Sequence, residues 1–197
     1  GKDSPNALYL NRGDFRFEDV TQETGLAGKQ GIGAGSTLLD IDNDGDQDLL
    51  IAGTNADYPF GISKLYRNDG TGHFTEVQDT PFKGVKSGSV VFADVDNDGD
   101  EDLLLTGTYG LPPNPTTDLY LNDGMGNFEE YPYPPFEDVN YGVAKAADID
   151  GDGDLDLFVG GIQVGIFTPI IATLMNTGAG SFSACSFNDV SKPIHGV

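Results

Sequence analysis

Aspartates recur in this sequence in three nine-residue segments that begin at positions 40, 94 and 148. The segments read DIDNDGDQD, DVDNDGDED and DIDGDGDLD, and each begins 54 residues after the one before it. Carboxylates packed this closely repel one another, and a bound divalent cation relieves that repulsion. The fixed spacing therefore predicts a structural repeat in which every unit carries a calcium loop.

The alternation within each segment indicates which groups would hold the ion. Positions one, three, five and nine supply carboxylates, position seven supplies its backbone carbonyl, and the glycine at position six lets the chain turn back. Because all these donors are oxygens, the set favours calcium over zinc or copper. We predict about three calcium ions per chain, held by Asp40, Asp42, Asp44, Asp46, Asp48, Asp94, Asp96, Asp98, Asp100, Asp102, Asp148, Asp150, Asp152, Asp154 and Asp156.

The loop of an EF-hand opens in the same way, so that alternative needs a test. An EF-hand requires a bidentate glutamate at position twelve and a helix on either side. Position twelve is Ile51, Leu105 or Val159 in the three segments, and the residues that follow read DLLIAGT, DLLLTGT and DLFVGGI. Short apolar runs that end in glycine are typical of buried strands. The sequence therefore predicts strands beside each loop and excludes the EF-hand.

A second repeated element predicts a β-hairpin in each unit. Asparagine at positions 11, 68, 122 and 176 is followed by glycine two residues later and by phenylalanine six residues later. Aromatic and apolar residues around an Asn-x-Gly segment favour a hairpin. In the middle unit we predict strands at 87–95, 102–108, 118–122 and 127–131, with a proline-rich link at 110–117. Four antiparallel strands per unit predict an all-β protein built from propeller blades.

The repeat divides the chain into four parts. Residues 1–33 would form the third and fourth strands of an incomplete blade plus a linker. Complete blades would span 34–86, 87–140 and 141–197, with calcium loops at 40–48, 94–102 and 148–156. About three and a half blades are fewer than the four to eight of a closed propeller. We therefore expect the remaining blades to come from further sequence, from another chain, or from a second copy, since two copies sum to about seven blades.

These motifs resemble a known family. The D-x-D-x-D-G-D-x-D-L-L signature and the LYxNDGxGxF hairpin resemble the FG-GAP or VCBS repeat of integrin-α-type β-propellers, and the resemblance covers nearly the whole chain. It implies a calcium-stiffened propeller used for extracellular recognition. The carboxylates named above would then be its metal ligands.

Composition is consistent with a secreted or cell-surface protein. The chain has 32 acidic and 10 basic residues and a formal net charge of −22, which disfavours binding to nucleic acid or to anionic membranes. No apolar run is long enough to insert into a bilayer, and no signal peptide is visible. A single cysteine, Cys185, excludes an internal disulfide, so calcium would be the main crosslink.

Catalytic motifs are weak, and we expect no enzyme activity. His73 and His195 lack the spacing of a zinc protease, and no nucleophile elbow is present. The glycine cluster at 31–35 lacks the strand and helix of a dinucleotide site and instead predicts close packing of inner strands. The tripeptide Arg12-Gly13-Asp14 falls in the hairpin register and is interpreted as a turn, although a hairpin tip would expose it.

We favour a recognition or adhesion module in which structural calcium orders one rim and a protein partner binds at the opposite rim and the hairpins. The alternative is a lectin, because repeats of this type also bind sugars between blades. Polysaccharide lyase activity is a third hypothesis. Without tryptophan, sugar stacking would depend on Tyr58, Tyr109, Tyr131, Tyr133 and Tyr141, which otherwise cover blade edges.

Overall fold

A computed structural model describes residues 7–27, 32–54, 60–132, 136–163, 169–178 and 180–186. These residues form strands and turns without any helix, so none of them forms a helix able to span a membrane. The all-β prediction is confirmed. The strands are β1 (Tyr9–Asn11), β2 (Phe17–Asp19), β3 (Ile32–Leu39), β4 (Asp48–Thr54), β5 (Ile62–Asn68), β6 (Phe74–Glu76), β7 (Val90–Ala93), β8 (Asp102–Tyr109), β9 (Asn114–Asn122), β10 (Phe128–Glu130), β11 (Val139–Ala147), β12 (Asp156–Gln163), β13 (Pro169–Asn176) and β14 (Phe182–Ser186).

Within each sheet, every strand pairs with the strands next to it in sequence. Strands β3–β6, β7–β10 and β11–β14 form three four-stranded antiparallel sheets, here called the first, second and third sheets. Strands β1 and β2 form a two-stranded hairpin. Within each four-stranded sheet the order in space follows the order in sequence. The predicted blade of four antiparallel strands is therefore confirmed.

The first and third strands of the second sheet differ most from the sequence prediction, while the second and fourth differ by one residue at one or both ends. The first strand is shorter than predicted because Ser87 has a φ of 55° and the backbone of Gly88 packs directly against that of Thr106. The third strand is longer, since part of the proline-rich link is already β9, with Pro115 opposite Thr108. Proline is tolerated near the beginning of a strand, where its missing N–H matters little.

Apolar cores join each sheet to the next. Leu50 and Leu65 of the first sheet pack with Leu103, Leu105 and other residues of the second. A second core joins the second and third sheets, and a third core joins the segment 8–26 to the first sheet. Strands β4 and β8 are buried along almost their whole length because a layer covers each of their faces. This explains why their sequences are continuously apolar rather than alternating.

Candidate metal centre

The three Asp-rich segments form the turns between the first and second strands of the three sheets. In the first sheet this turn joins β3 to β4, and carboxylate oxygens of Asp40, Asp42 and Asp48 lie within 4.8 Å of one another. The other two turns place the residues at their first, third and ninth positions in the same way. These groups are Asp94, Asp96 and Asp102 in the second sheet, and Asp148, Asp150 and Asp156 in the third.

The ninth-position aspartates are the structural anchors of these turns. Asp102 is almost completely buried at the start of β8, where its Oδ2 accepts a hydrogen bond from Val95 N at 3.0 Å. Its Oδ1 accepts another from Asn122 N at 2.8 Å. One carboxylate thus joins the loop to the third strand of its sheet. Asp48 accepts the same pair of hydrogen bonds from the backbone N–H groups of Ile41 and Asn68. Asp156 accepts them from those of Ile149 and Asn176.

The fifth-position carboxylates lie outside the three groups. The Oδ1 atoms of Asp44, Asp98 and Asp152 each accept a hydrogen bond from the backbone N–H two residues later, at 2.9 to 3.0 Å. These bonds shape the turn itself. The structure thus brings together three of the four predicted carboxylates in each loop, and the assignment of the fifth position as a ligand remains a prediction.

The seventh-position side chains connect each loop to its surroundings. A Cβ added to Gly124, which has a φ of 73°, would lie 2.4 Å from Asp100 Oδ2, so only glycine fits where the hairpin contacts this carboxylate. Asp100 Oδ1 also accepts a hydrogen bond from Asn43 Nδ2 of the preceding loop at 2.7 Å. Asn97 donates in the same way to Asp154. The loops are therefore linked to one another in a row.

The electrostatics of the loops favour a bound cation. Burial raises the pKa of Asp102 to about 7, against the opposing effect of its two backbone hydrogen bonds, and nearby Asp96 and Asp98 add to the rise. Burial and neighbouring carboxylates also raise the pKa values of Asp48 and Asp96. Clustered negative charge is therefore costly here, and a divalent cation would offset that cost.

Two buried oxygen atoms support the fit of a metal more directly. Asp42 Oδ1 and Asp94 Oδ1 are buried and have no hydrogen-bond partner in the described part of the chain. A buried carboxylate oxygen normally has a partner, because leaving it without one costs free energy. Asp42 is the third-position residue of the first carboxylate group, and Asp94 is the first-position residue of the second. A hard cation that prefers oxygen ligands, such as calcium, suits this donor set.

Arg67 is a feature of the first loop that sequence reasoning missed. Its Nε lies 3.0 Å from Asp42 Oδ2, and its Nη2 donates to the Met125 carbonyl of the next sheet at 2.9 Å. The corresponding residues in the other two units are Leu121 and Met175. The only sequence feature that pointed to this role was a basic residue at the third position of the LYxN motif, and the sequence did not reveal which residue it contacts. The first loop thus carries a positive charge at a repeat position where the other two units have apolar side chains.

Replacing Arg67 with leucine should strengthen calcium binding at the first loop on the order of tenfold, because a unit charge beside a divalent ion contributes about 1–2 kcal/mol in a water-like dielectric. Isothermal titration of the wild type and the variant would measure this change. Arg67→Lys retains the charge and is the matched control, which should bind like the wild type. Equal affinities in the leucine and lysine variants would contradict the charge argument.

Other residues considered in the sequence have ordinary surroundings. His73 Nδ1 lies 3.4 Å from the Glu23 carbonyl oxygen. Arg12 Nε lies 2.7 Å from Glu18 Oε2 in the β1–β2 hairpin. This contact confirms the hairpin position of Arg12-Gly13-Asp14. Tyr109 stacks beneath the Lys83 ammonium, and Tyr141 is exposed. Tyr58, Tyr133, Gly31 and His195 lie outside the described residues.

Two curated relatives are similar in sequence to this chain. The chain is 26% identical to cartilage acidic protein 1 of Xenopus tropicalis over 169 residues, which is 80% of this chain and 25% of that protein. It is 25% identical to cartilage acidic protein 1 of Homo sapiens over 174 residues, which is 80% of this chain and 24% of that protein. The chain thus spans about a quarter of the length of these relatives.

The family comparison covers most of the chain. The FG-GAP-like repeat matches three times, over residues 1–51, 40–105 and 110–159, and these matches include all three Asp-rich loops. They agree with the four-stranded sheets and the repeated carboxylate groups. The chain belongs to the FG-GAP-like repeat family.

Proposed function

We propose that this chain is an extracellular recognition module whose Asp-rich loops bind structural calcium. The observation that carries the proposal is the repetition of one carboxylate group, with one hydrogen-bond pattern, in three successive sheets. A catalytic site is needed only once, whereas a structural crosslink is useful in every repeat. The proposal assigns the chain no catalytic role.

The metal would stiffen one end of the stacked sheets. The hairpins between third and fourth strands contact the Asp loops. Gly124 lies against Asp100, and the Met125 carbonyl accepts a hydrogen bond from Arg67, which itself pairs with Asp42. Internal contacts thus occupy part of this end, while hairpin side chains such as Met125 stay exposed, and the availability of the hairpins to a partner stays a prediction. We place the partner site on the opposite rim, where the link 110–113 exposes Leu111. Loops on a rigid frame commonly carry specificity.

An extracellular or cell-surface location fits the proposed metal role. Calcium sites of extracellular modules have dissociation constants of about 10⁻⁴ to 10⁻³ M, so millimolar calcium would occupy about half of such sites or more. Both curated relatives are named after cartilage, which supports the same setting. A net charge of −22 keeps the surface soluble and disfavours nucleic acid as a partner.

Calorimetric calcium titration combined with thermal unfolding would test the metal role. We expect about three ions per chain. At 100 times the dissociation constant each site adds about 2.7 kcal/mol of stability, so the melting temperature should rise steeply with calcium. Magnesium at the same concentration is the control and should have a much smaller effect, because it loses its water shell reluctantly. Absence of calcium uptake would refute the metal role.

The partner class requires a separate experiment with calcium-loaded protein. A protein-binding screen should yield a partner whose binding is weakened by Leu111→Asp on the opposite rim. The lectin alternative predicts binding to a glycan panel instead, and the lyase alternative predicts turnover of an acidic polysaccharide. Either of those results would replace the protein-recognition proposal.

A further inference from the structure

The fourth position of each Asp loop has a left-handed backbone. Its φ is 58° at Asn43, 63° at Asn97 and 81° at Gly151. Glycine adopts this conformation without strain, and asparagine is one of the few other residues that tolerate it. The third loop makes the same turn with glycine. The asparagine side chains of the first two loops are therefore not needed to form the turn.

These asparagine side chains reach the next loop along the chain. Asn43 Nδ2 donates to Asp100 Oδ1 at 2.7 Å, and Asn97 Nδ2 donates to Asp154 Oδ1. Each bond spans 57 residues and joins the fourth position of one loop to the seventh position of the next. The same two positions meet where the first sheet adjoins the second and where the second adjoins the third. The contact is thus a repeated feature of the stacked sheets.

The seventh-position carboxylate is held from a second side as well. A Cβ added to Gly124 would lie 2.4 Å from the other oxygen of Asp100, Oδ2, because the hairpin of the same sheet passes there. A Cβ added to Gly178 would lie 3.5 Å from Asp154 Oδ2. Each carboxylate therefore lies between the preceding loop and its own hairpin, and loss of the asparagine amide would release one of the two sides.

The backbone of the seventh residue belongs to the candidate metal centre. Its carbonyl is one of the ligands that the sequence predicts. Its N–H donates to the fifth-position carboxylate, from Asp100 N to Asp98 Oδ1 and from Asp154 N to Asp152 Oδ1, both at 3.0 Å. The orientation of the seventh residue therefore affects two predicted oxygen ligands. A side chain fixed at its carboxylate restricts that orientation.

We propose that Asn43 and Asn97 are positioning residues for the calcium site of the following loop. Asn43 acts on the second loop through Asp100, and Asn97 acts on the third loop through Asp154. The inference rests on the metal role proposed above. Hydrogen bonds that orient metal ligands from outside typically contribute about 10- to 100-fold to metal affinity. A residue of one loop thus helps to set the calcium affinity of another.

Exchange of asparagine for glycine isolates the amide from the turn. Asn43→Gly and Asn97→Gly retain a residue that adopts the left-handed conformation, as Gly151 does in the third loop. Only the bond to the next loop is lost. We expect calcium affinity at the next loop to fall about tenfold, the lower end of the usual range, because both bonds are exposed to solvent. Affinity at the loop that carries the substitution should not change.

The sixth-position glycines provide a separate signal for each loop. Their N–H groups donate to first-position carboxylates, which belong to the three metal groups. The bonds are Gly45 N to Asp40 Oδ2 at 2.9 Å, Gly99 N to Asp94 Oδ2 at 3.1 Å and Gly153 N to Asp148 Oδ2 at 3.2 Å. Titration of the ¹⁵N-labelled chain with calcium chloride, followed by NMR, should therefore give one dissociation constant per loop.

The two variants should show a crossed pattern and serve as controls for each other. Asn43→Gly should lower the affinity that the Gly99 signal reports and leave those of Gly45 and Gly153 unchanged. Asn97→Gly should lower the affinity that the Gly153 signal reports and leave the other two unchanged. Melting temperatures in chelator should stay close to that of the wild type, since the lost bonds are exposed. A general loss of stability would not produce this pattern.

Three results would overturn the proposal. A loss of affinity at the loop that carries the substitution would assign the asparagine to its own turn. Equal losses at all three loops would indicate general destabilisation. Wild-type affinities in both variants would remove the positioning role and leave the proposed metal role intact. That outcome is distinct from failure of the metal role itself, in which the wild-type chain would take up no calcium.

Discussion

Replacing Asp102 with alanine is expected to lower the free energy of unfolding by about 5 kcal/mol in saturating calcium. Two buried backbone donors, Val95 N and Asn122 N, lose their acceptor, at about 1 kcal/mol or more each. Loss of a calcium ion present at 100 times its dissociation constant removes about 2.7 kcal/mol more. Urea unfolding in calcium and in chelator would measure both contributions.

The effect should be smaller in chelator at alkaline pH. Without metal, burial of a charged carboxylate is itself costly, and alanine removes that cost. Asp98→Ala is the matched control in the same loop. Its Oδ1 accepts the Asp100 N–H at the surface, so we expect a loss of less than about 1 kcal/mol in chelator and weaker calcium uptake at this loop alone. Equal losses for the two variants in chelator at acidic pH would contradict the anchoring role of Asp102.

The raised pKa of Asp102 also gives a pH dependence in the metal-free protein. Because its pKa is raised from 3.8 to about 7, the folded state binds more protons than the unfolded state between these values. The contribution of this group to stability therefore falls as pH rises from about 4 to about 7. Calcium binding below pH 7 should release a proton from this site, so calcium affinity at the second loop should rise with pH.

Local features of the fold were predictable because their determinants are short-range. The alternation of Asp within nine residues, the apolar runs after each loop and the Asn-x-Gly hairpins each depend on neighbours in sequence. Their recurrence after 54 residues then predicted the four-stranded unit. The first, third and ninth aspartates do lie together, since a loop that turns back at glycine brings its ends close.

Contacts between repeats were not predictable because they depend on how the sheets stack. Asn122 was interpreted as a turn residue, yet its side chain donates to Ile41, 81 residues away. Arg67 finds Asp42 only because β5 passes beside the first loop. The early start of β9 depends on pairing with β8, which extends further than its own apolar run suggested. The β-propensity of a segment is a weak guide to where its strand begins and ends when pairing with a neighbouring strand sets those bounds.

Asn122→Ala is expected to cost about 2–3 kcal/mol, because one amide group joins two sheets. Its Nδ2 donates to Ile41 O at 2.9 Å and to Glu101 O at 3.3 Å, and the side chain is buried. Alanine would leave two carbonyls without this donor and a cavity between the sheets. Chemical denaturation would measure the change.

Asn68→Ala is the matched control, since Asn68 occupies the same repeat position but bonds only within its own sheet in the described structure, donating to Gln47 O and accepting from Gly72 N. We expect a loss of about 1–2 kcal/mol there, because no hydrogen bond between sheets is lost. The two variants should also differ in calcium binding. Ile41 belongs to the first Asp loop and Glu101 to the second, so Asn122→Ala should weaken two calcium sites, whereas Asn68→Ala should affect the first alone. If Asn122→Ala changed only the second site, the loops would be independent and the hydrogen bond between sheets would have no part in holding the metal.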